Sequence, residues 1–203
     1  MMDSQAEIKS INRIWFILPL AAFFVLAFFF GKGFELEDPN KLPSAMLGKP
    51  FPNFSLPNLK APNQQLNRDD MLGKIALVTV WATWCPTCKS EHGELSRLVR
   101  EEGLTLYGIN YKDDANAAIA FLDRFGDPFE FNIIDREGRL GIDLGVYGAP
   151  ESFLIDADGQ IRYKRVGDIN PRIWEAEIRP MVEKLRREAG ELADGSPTQS
   201  ANH

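Results

Sequence analysis

Residues 75–82 read Ile75-Ala76-Leu77-Val78-Thr79-Val80-Trp81-Ala82, an apolar run broken by a single threonine. A strand this apolar has no solvent face, so it belongs at the centre of a sheet covered on both sides. Shortly after it the chain reads Cys85-Pro86-Thr87-Cys88, preceded by Trp84. A stretch with helical spacing follows, in which Leu95, Leu98 and Val99 share a face and Gly103 supplies a stop. The two cysteines are the only ones in 203 residues. They sit where a buried strand hands over to a helix, which ties the fold and the chemistry to one junction.

That position suits a reactive dithiol. The thiolate is the nucleophile, and a helix start favours it, because the first backbone N–H groups are unpaired and the dipole is positive there. Pro86 suits the first turn, where no N–H is required. Cys85 is expected exposed at the helix tip and Cys88 one turn later, partly covered. The first sulfur would attack a disulfide and the second would resolve the mixed disulfide. Other readings are weaker. A structural staple across so short a loop stabilises little, since the chain-entropy gain grows with loop length. A structural zinc site wants four ligands, and the only histidines are His92 and the terminal His203. Two unrelated buried thiols fit the Trp-Cys-Pro-x-Cys context poorly.

Residues 14–30 (IWFILPLAAFFVLAFFF) carry no charge, and Gly31 can extend the run. This is the lower end of what spans a bilayer as a helix, and Pro19 is tolerable there. Lys9 and Arg13 precede it, while Glu35, Glu37 and Asp38 follow Lys32. The basic flank puts the N-terminus in the cytoplasm and the rest outside. A cleavable signal peptide would need small residues at its cleavage site, and this run ends in Phe28-Phe29-Phe30. The expected organisation is a cytoplasmic segment 1–13, an anchor 14–31, a tether 32–47, one domain over 48–189 and a disordered polar tail 190–203. The domain is long enough for its own core. With a net charge of −6 and scattered basic residues, nothing points to nucleic acid.

Within the domain, strand and helix signals alternate. Phe51 to Leu56 reads as an edge strand because of Pro52, and Leu104 to Ile109 as the strand after the first helix. Asp114 caps a helix carrying Ile119, Leu122 and Phe125, which Gly126 ends. Phe131 to Ile134 is a further strand. Residues 151–156 and 160–166 flank Asp156-Ala157-Asp158-Gly159, a hairpin turn. Asn170 caps a last helix with Pro171 at its first position and a buried stripe of Trp174, Ile178, Met181, Val182 and Leu185. Pro180 should kink that helix or cost it a hydrogen bond. The order predicts an α/β domain, a mixed central sheet with helices on both faces.

With the motif on a strand–helix junction, the chain resembles thioredoxin-fold proteins, and among them the membrane-anchored thiol:disulfide interchange proteins of cytochrome c maturation, the DsbE/CcmG group. The resemblance covers nearly the whole chain from the anchor to about residue 187. It is carried by Trp81-Ala82-Thr83-Trp84-Cys85-Pro86-Thr87-Cys88 with Glu91-His92, by Gly145-Val146-Tyr147-Gly148-Ala149-Pro150-Glu151-Ser152-Phe153, and by Ile161-Arg162-Tyr163-Lys164 with Gly167-Asp168-Ile169-Asn170-Pro171. It implies a thioredoxin-like fold behind one transmembrane helix. It also implies a cis Pro150 against the redox cysteines, with the Ala149 backbone held out to pair with a substrate chain. Thioredoxins carry a buried acid six residues before the first cysteine; here that position is Thr79, which cannot act as a base. The resemblance moves the acidic role to Glu91 and Glu151, which can raise thiol pKa values and relay a proton. On residue type alone, Glu91 would be a solvated first-turn residue and Glu151 a surface strand residue. His92 reads as helix surface rather than a base. Trp84 is expected to shield the sulfurs, or simply to pack, and Trp81 to lie in the core. Pro86 and Thr87 shape the site between the cysteines.

The function this implies is a protein-disulfide reductase, single-pass in the bacterial inner membrane with its domain in the periplasm. It would reduce disulfides of apocytochrome c, or of a maturation partner, before haem attachment, and an integral membrane electron donor would recharge it. No cofactor beyond the redox-active Cys85–Cys88 pair and no metal are expected. A general envelope thioredoxin-like reductase or a peroxide-scavenging relative would keep the fold and change the partner. A copper-delivery module on the same fold would use a three-residue cysteine spacer and a distant histidine, which this chain lacks.

Overall fold

The computed structural model describes residues 17–28 and 46–190. Residues 17–28 form a helix, α1, whose apolar side chains are exposed. Among the described residues no helix is long and apolar enough to cross a membrane. The ends of the expected 14–31 anchor, residues 1–13, nearly all of the 32–47 tether and the tail beyond Gly190 lie outside the described residues.

Most of the apolar run 75–82 forms strand β3 (Ala76–Trp81), buried at every residue; it is preceded by a small antiparallel pair, β1 (Ser55–Pro57) and β2 (Gln65–Asn67). β3 pairs in parallel with β4 (Thr105–Tyr111) and antiparallel with β6 (Glu151–Ile155). β5 (Phe131–Asp135) adds in parallel to β4, and β7 (Ile161–Val166) adds antiparallel to β6. The mixed five-stranded order is β5-β4-β3-β6-β7. Because successive strand side chains point to opposite faces, β3 feeds two cores. Leu77 and Trp81 join one with Leu95, Leu98, Leu122, Trp174 and Leu185. Val78 and Val80 join the other with Phe51, Met71, Tyr107, Leu140 and Phe153.

The first core lies under α2 (Pro86–Glu102), α3 (Ala115–Phe125) and α6 (Arg179–Glu188); the short α4 (Arg139–Asp143) lies over the second. The caps are local and legible. The Asp114 side chain accepts from the Ala117 amide, and Asn170 accepts from the Ile173 amide at the start of α5 (Pro171–Ile173). Gly103 ends α2 in the left-handed region at φ 61°, where a glycine carries no Cβ penalty. Between α5 and α6 the chain makes a π turn, Trp174–Ile178, and the Arg179 amide bonds back five residues to the Trp174 carbonyl. Pro180, which has no N–H to give, is absorbed by this widened turn.

One expectation is corrected. Residues 51–54 are not strand, since β1 begins at Ser55. Pro50 and Pro52 remove ladder donors, so the segment instead bonds irregularly to the β6–β7 hairpin, with Gly48 N–H on the Ile161 carbonyl and Phe51 N–H on the Gly159 carbonyl. β2 and α4, three and five residues long, are too short to carry a periodic signal.

One buried contact is diagnostic. The Trp81 indole donates to Asn132 Oδ1 at 2.8 Å and stacks on Phe129. Gly108 on the intervening strand leaves the space: a Cβ there would lie 1.8 Å from Asn132 Oδ1. Gly108→Ala must therefore break this hydrogen bond or shift β4. We expect a loss of about 1–3 kcal/mol in urea unfolding, the usual cost of overpacking; an unchanged midpoint would contradict this packing.

Candidate active site

Cys85 ends the loop after β3 and is the N-cap of α2, with extended backbone and Pro86 in the first turn. Its sulfur accepts the Cys88 amide at 3.0 Å, so the side chain satisfies one of the unpaired donors at the helix start. Cys85 and Cys88 form a disulfide, with Cα atoms 5.3 Å apart. Cys85 was expected exposed, but it is 3% exposed and Cys88 is 4% exposed. Covering comes from the loop before β6. The Cys85 sulfur lies 3.4 Å from the Ala149 carbonyl oxygen, an acceptor for the S–H of the reduced form. The Ala149–Pro150 peptide bond is cis, and Pro150 is buried. Pro86 and Thr87 stay exposed on the first turn. Trp84 is 53% exposed, and its indole donates to the Lys112 carbonyl. Thr79 sits beneath the site, fully buried, its hydroxyl 3.2 Å from that of Ser152.

A model of the Redoxin family matches residues 46–181 of this chain. The thiol:disulfide interchange protein DsbE of Allochromatium vinosum is 49% identical over 170 residues, covering 84% of this chain and 93% of that one. The protein of the same name from Escherichia coli K12 is 46% identical over 180 residues, covering 86% and 97%. The chain belongs to the DsbE family of redoxins. DsbE-type sheet order and helix placement here are those of a thioredoxin-like fold. The solved secreted thiol-disulfide isomerase of Corynebacterium glutamicum, 20% identical, shares that fold with a TM-score of 0.59 over 73% of this chain and 96% of its own. As a DsbE-family protein with one cysteine pair at a helix start, the chain is a thiol:disulfide oxidoreductase.

The two flanking acids have different surroundings. Glu151 is buried, hydrogen-bonded through one oxygen and ion-paired through the other. Its Oε1 accepts the Tyr147 and Gly148 amides at 2.6 and 3.2 Å, and its Oε2 lies 3.0 Å from Lys164 Nζ. Lys164 also donates to the Gly145 carbonyl. The pair therefore staples residues 145–148, the approach to Ala149. Lys164 was not legible as a site residue: it lies on β7, in the run Arg162-Tyr163-Lys164-Arg165, with no local signal of its partner.

Glu91, one turn beyond Cys88, is 4% exposed rather than solvated. Its Oε2 accepts the Ile169 amide at 2.9 Å, and its Oε1 is buried with no hydrogen-bond partner among the described residues. Burial pushes its carboxyl up to about 8; the Ile169 amide opposes this, and the nearby Asp168 charge adds to it. His92 is also buried, correcting the surface reading. Its Nε2 lies 2.8 Å from the Gly126 carbonyl, and its ring meets the Phe121 ring edge-on. It joins α2 to α3 and serves packing.

Glu91 sets a pH dependence whose sign is fixed. Folded protein holds the Glu91 proton up to about pH 8, whereas the unfolded chain releases it near ~4.3. The folded state thus binds more protons in that window, and its stability falls as pH rises, levelling off above the window. Glu91→Gln should remove this contribution. Parent minus variant unfolding free energy should decline by about 1.4 kcal/mol per pH unit across the middle of the window. Parallel pH profiles in urea titrations would contradict a buried, proton-holding Glu91.

Proposed function

We propose that this protein is a periplasmic protein-disulfide reductase, anchored in the bacterial inner membrane by residues 14–31, that reduces disulfides of apocytochrome c or of its maturation partners before haem attachment. The single observation that carries the reading is the covered disulfide. Both cysteines are buried, and the Ala149 carbonyl closes over Cys85. A site this closed selects substrates that can pair with the Ala149 backbone as an added strand, which favours a restricted set of thiol partners over a general reductase. The DsbE relatives support the exchange chemistry, and the resemblance to the cytochrome c maturation group supports the substrate class. The uncharged run 14–30 and the exposed apolar side chains of α1 support the anchor.

The exchange proceeds in two steps. In the reduced protein the Cys85 thiolate, held by the Cys88 amide, attacks one sulfur of the substrate disulfide. A mixed disulfide forms, and the other substrate sulfur leaves as a thiolate. Cys88 then loses its proton and attacks the Cys85 sulfur. The Cys85–Cys88 disulfide forms and the second substrate thiol leaves, so two electrons have passed to the substrate. Glu91 stands one turn from Cys88 with its carboxyl pushed up to about 8 and one buried oxygen that has no hydrogen-bond partner among the described residues, and in its ionised form it can take the Cys88 proton. An integral membrane donor returns the two electrons.

Cys88→Ala interrupts the sequence after the first step. Reduced full-length protein carrying it should accumulate a mixed disulfide through Cys85 when mixed with an oxidised peptide bearing two cysteines and the adjacent histidine of a haem-attachment motif. Non-reducing electrophoresis and mass spectrometry read the adduct. Its absence with that peptide, alongside ready adducts with unrelated disulfides, would turn the reading toward a general reductase.

A further inference from the structure

The loop from Ala82 to Cys85 carries the chain from β3 to α2, and its internal backbone hydrogen bond runs from the Cys85 amide to the Ala82 carbonyl. Support comes from the turn after β4. The Asp113 carboxylate accepts the Thr83 amide at 2.7 Å and the Thr83 hydroxyl at 2.7 Å. It also accepts from Asn110 Nδ2 at 2.9 Å and from the Asp114 amide at 2.9 Å. The next residue back supplies a third tether, since the Lys112 carbonyl accepts the Trp84 indole at 3.1 Å. Lys112 is the one non-glycine with positive φ among the described residues, at 48°. Such a conformation persists where the surroundings hold it. Here the Lys112 amide donates to the Asp135 carbonyl, and Gly138 leaves the room its side chain occupies, since a Cβ there would sit 2.2 Å from Lys112 Cε.

We infer that Asp113 is a positioning residue for the exchange reaction, acting through Thr83 to hold Cys85 at the start of α2. The carboxylate has both oxygens committed to Thr83 and to its own turn. It fixes the last residues before Cys85, and thereby the distance from the Cys85 sulfur to the Cys88 amide. Loosening it removes the donor that stabilises the attacking thiolate without touching the sulfur. The inference rests on the thiol:disulfide exchange activity and not on the identity of the substrate.

The test uses reduced full-length protein in a Cys88→Ala background, so that Cys85 alone reacts, with 5,5′-dithiobis(2-nitrobenzoate) as the disulfide probe. Asp113→Ala should slow the reaction about tenfold, a modest loss for a misplaced reacting group. Asp113→Asn keeps an acceptor for the Thr83 amide and should stay within about threefold of the parent. Thr83→Val combined with Asp113→Ala should be no slower than Asp113→Ala alone, because both remove one interaction. Two results overturn the inference. One is an Asp113→Ala rate within about twofold of the parent while its melting temperature falls, which is a purely structural role. The other is an Asp113→Asn variant as slow as Asp113→Ala, which assigns the effect to charge. If Asp113→Ala does not fold, Thr83→Val alone decides: slowing of about threefold supports the inference, and an unchanged rate overturns it.

Discussion

The Cys85 sulfur takes the Cys88 amide at the first turn of α2, and the rest of the site is arranged about that one hydrogen bond. The bond exists because a buried strand delivers the chain to the helix start with no room for a longer loop. Pro86 asks for no donor in the first turn, and the apolar β3 run fixes where the turn can begin. A sulfur in this position is both a helix cap and a nucleophile. Anything that moves the loop before it, or the Ala149 loop above it, changes its chemistry.

Three carboxylates surround the site and behave differently, although the side chains are nearly alike. Asp113 is saturated with donors from its own turn and from Thr83. Glu151 accepts two amides and pairs with Lys164. Both are holding groups. Glu91 has one donor and one buried, empty oxygen, so it is the carboxylate whose protonation can follow events at the sulfurs. The burial of both cysteines favours the disulfide, because a neutral disulfide tolerates an apolar site better than a charged thiolate does. The reducing direction proposed for the pair requires this burial to outweigh the Cys88 amide at the helix start, which favours the Cys85 thiolate.

What the sequence made legible was local. Continuous apolarity marked β3 as central, and Asp114, Asn170, Gly103 and the Asp156–Gly159 turn marked their boundaries, because caps and turns depend on a few neighbouring residues. The cysteine pair was legible for the same reason. The missing parts depend on distant chain. Nothing near Thr83 announces Asp113, thirty residues later, and nothing near Glu151 announces Lys164 across a hairpin. Glu91 and His92 look like surface helix residues until Ile169 and Phe121 close over them. The irregular path of residues 48–54 is set by prolines that deny it a ladder and by a hairpin it meets only in the folded chain.

The reducing character is the claim from which the proposed direction of electron flow follows. It is tested by equilibrating the full-length protein with glutathione redox buffers and titrating the Cys85 and Cys88 thiols. The account predicts a couple more reducing than glutathione, with the disulfide persisting until the buffer is strongly reducing. A dithiol that stays reduced in oxidising glutathione, the mark of a strong oxidant, would contradict it.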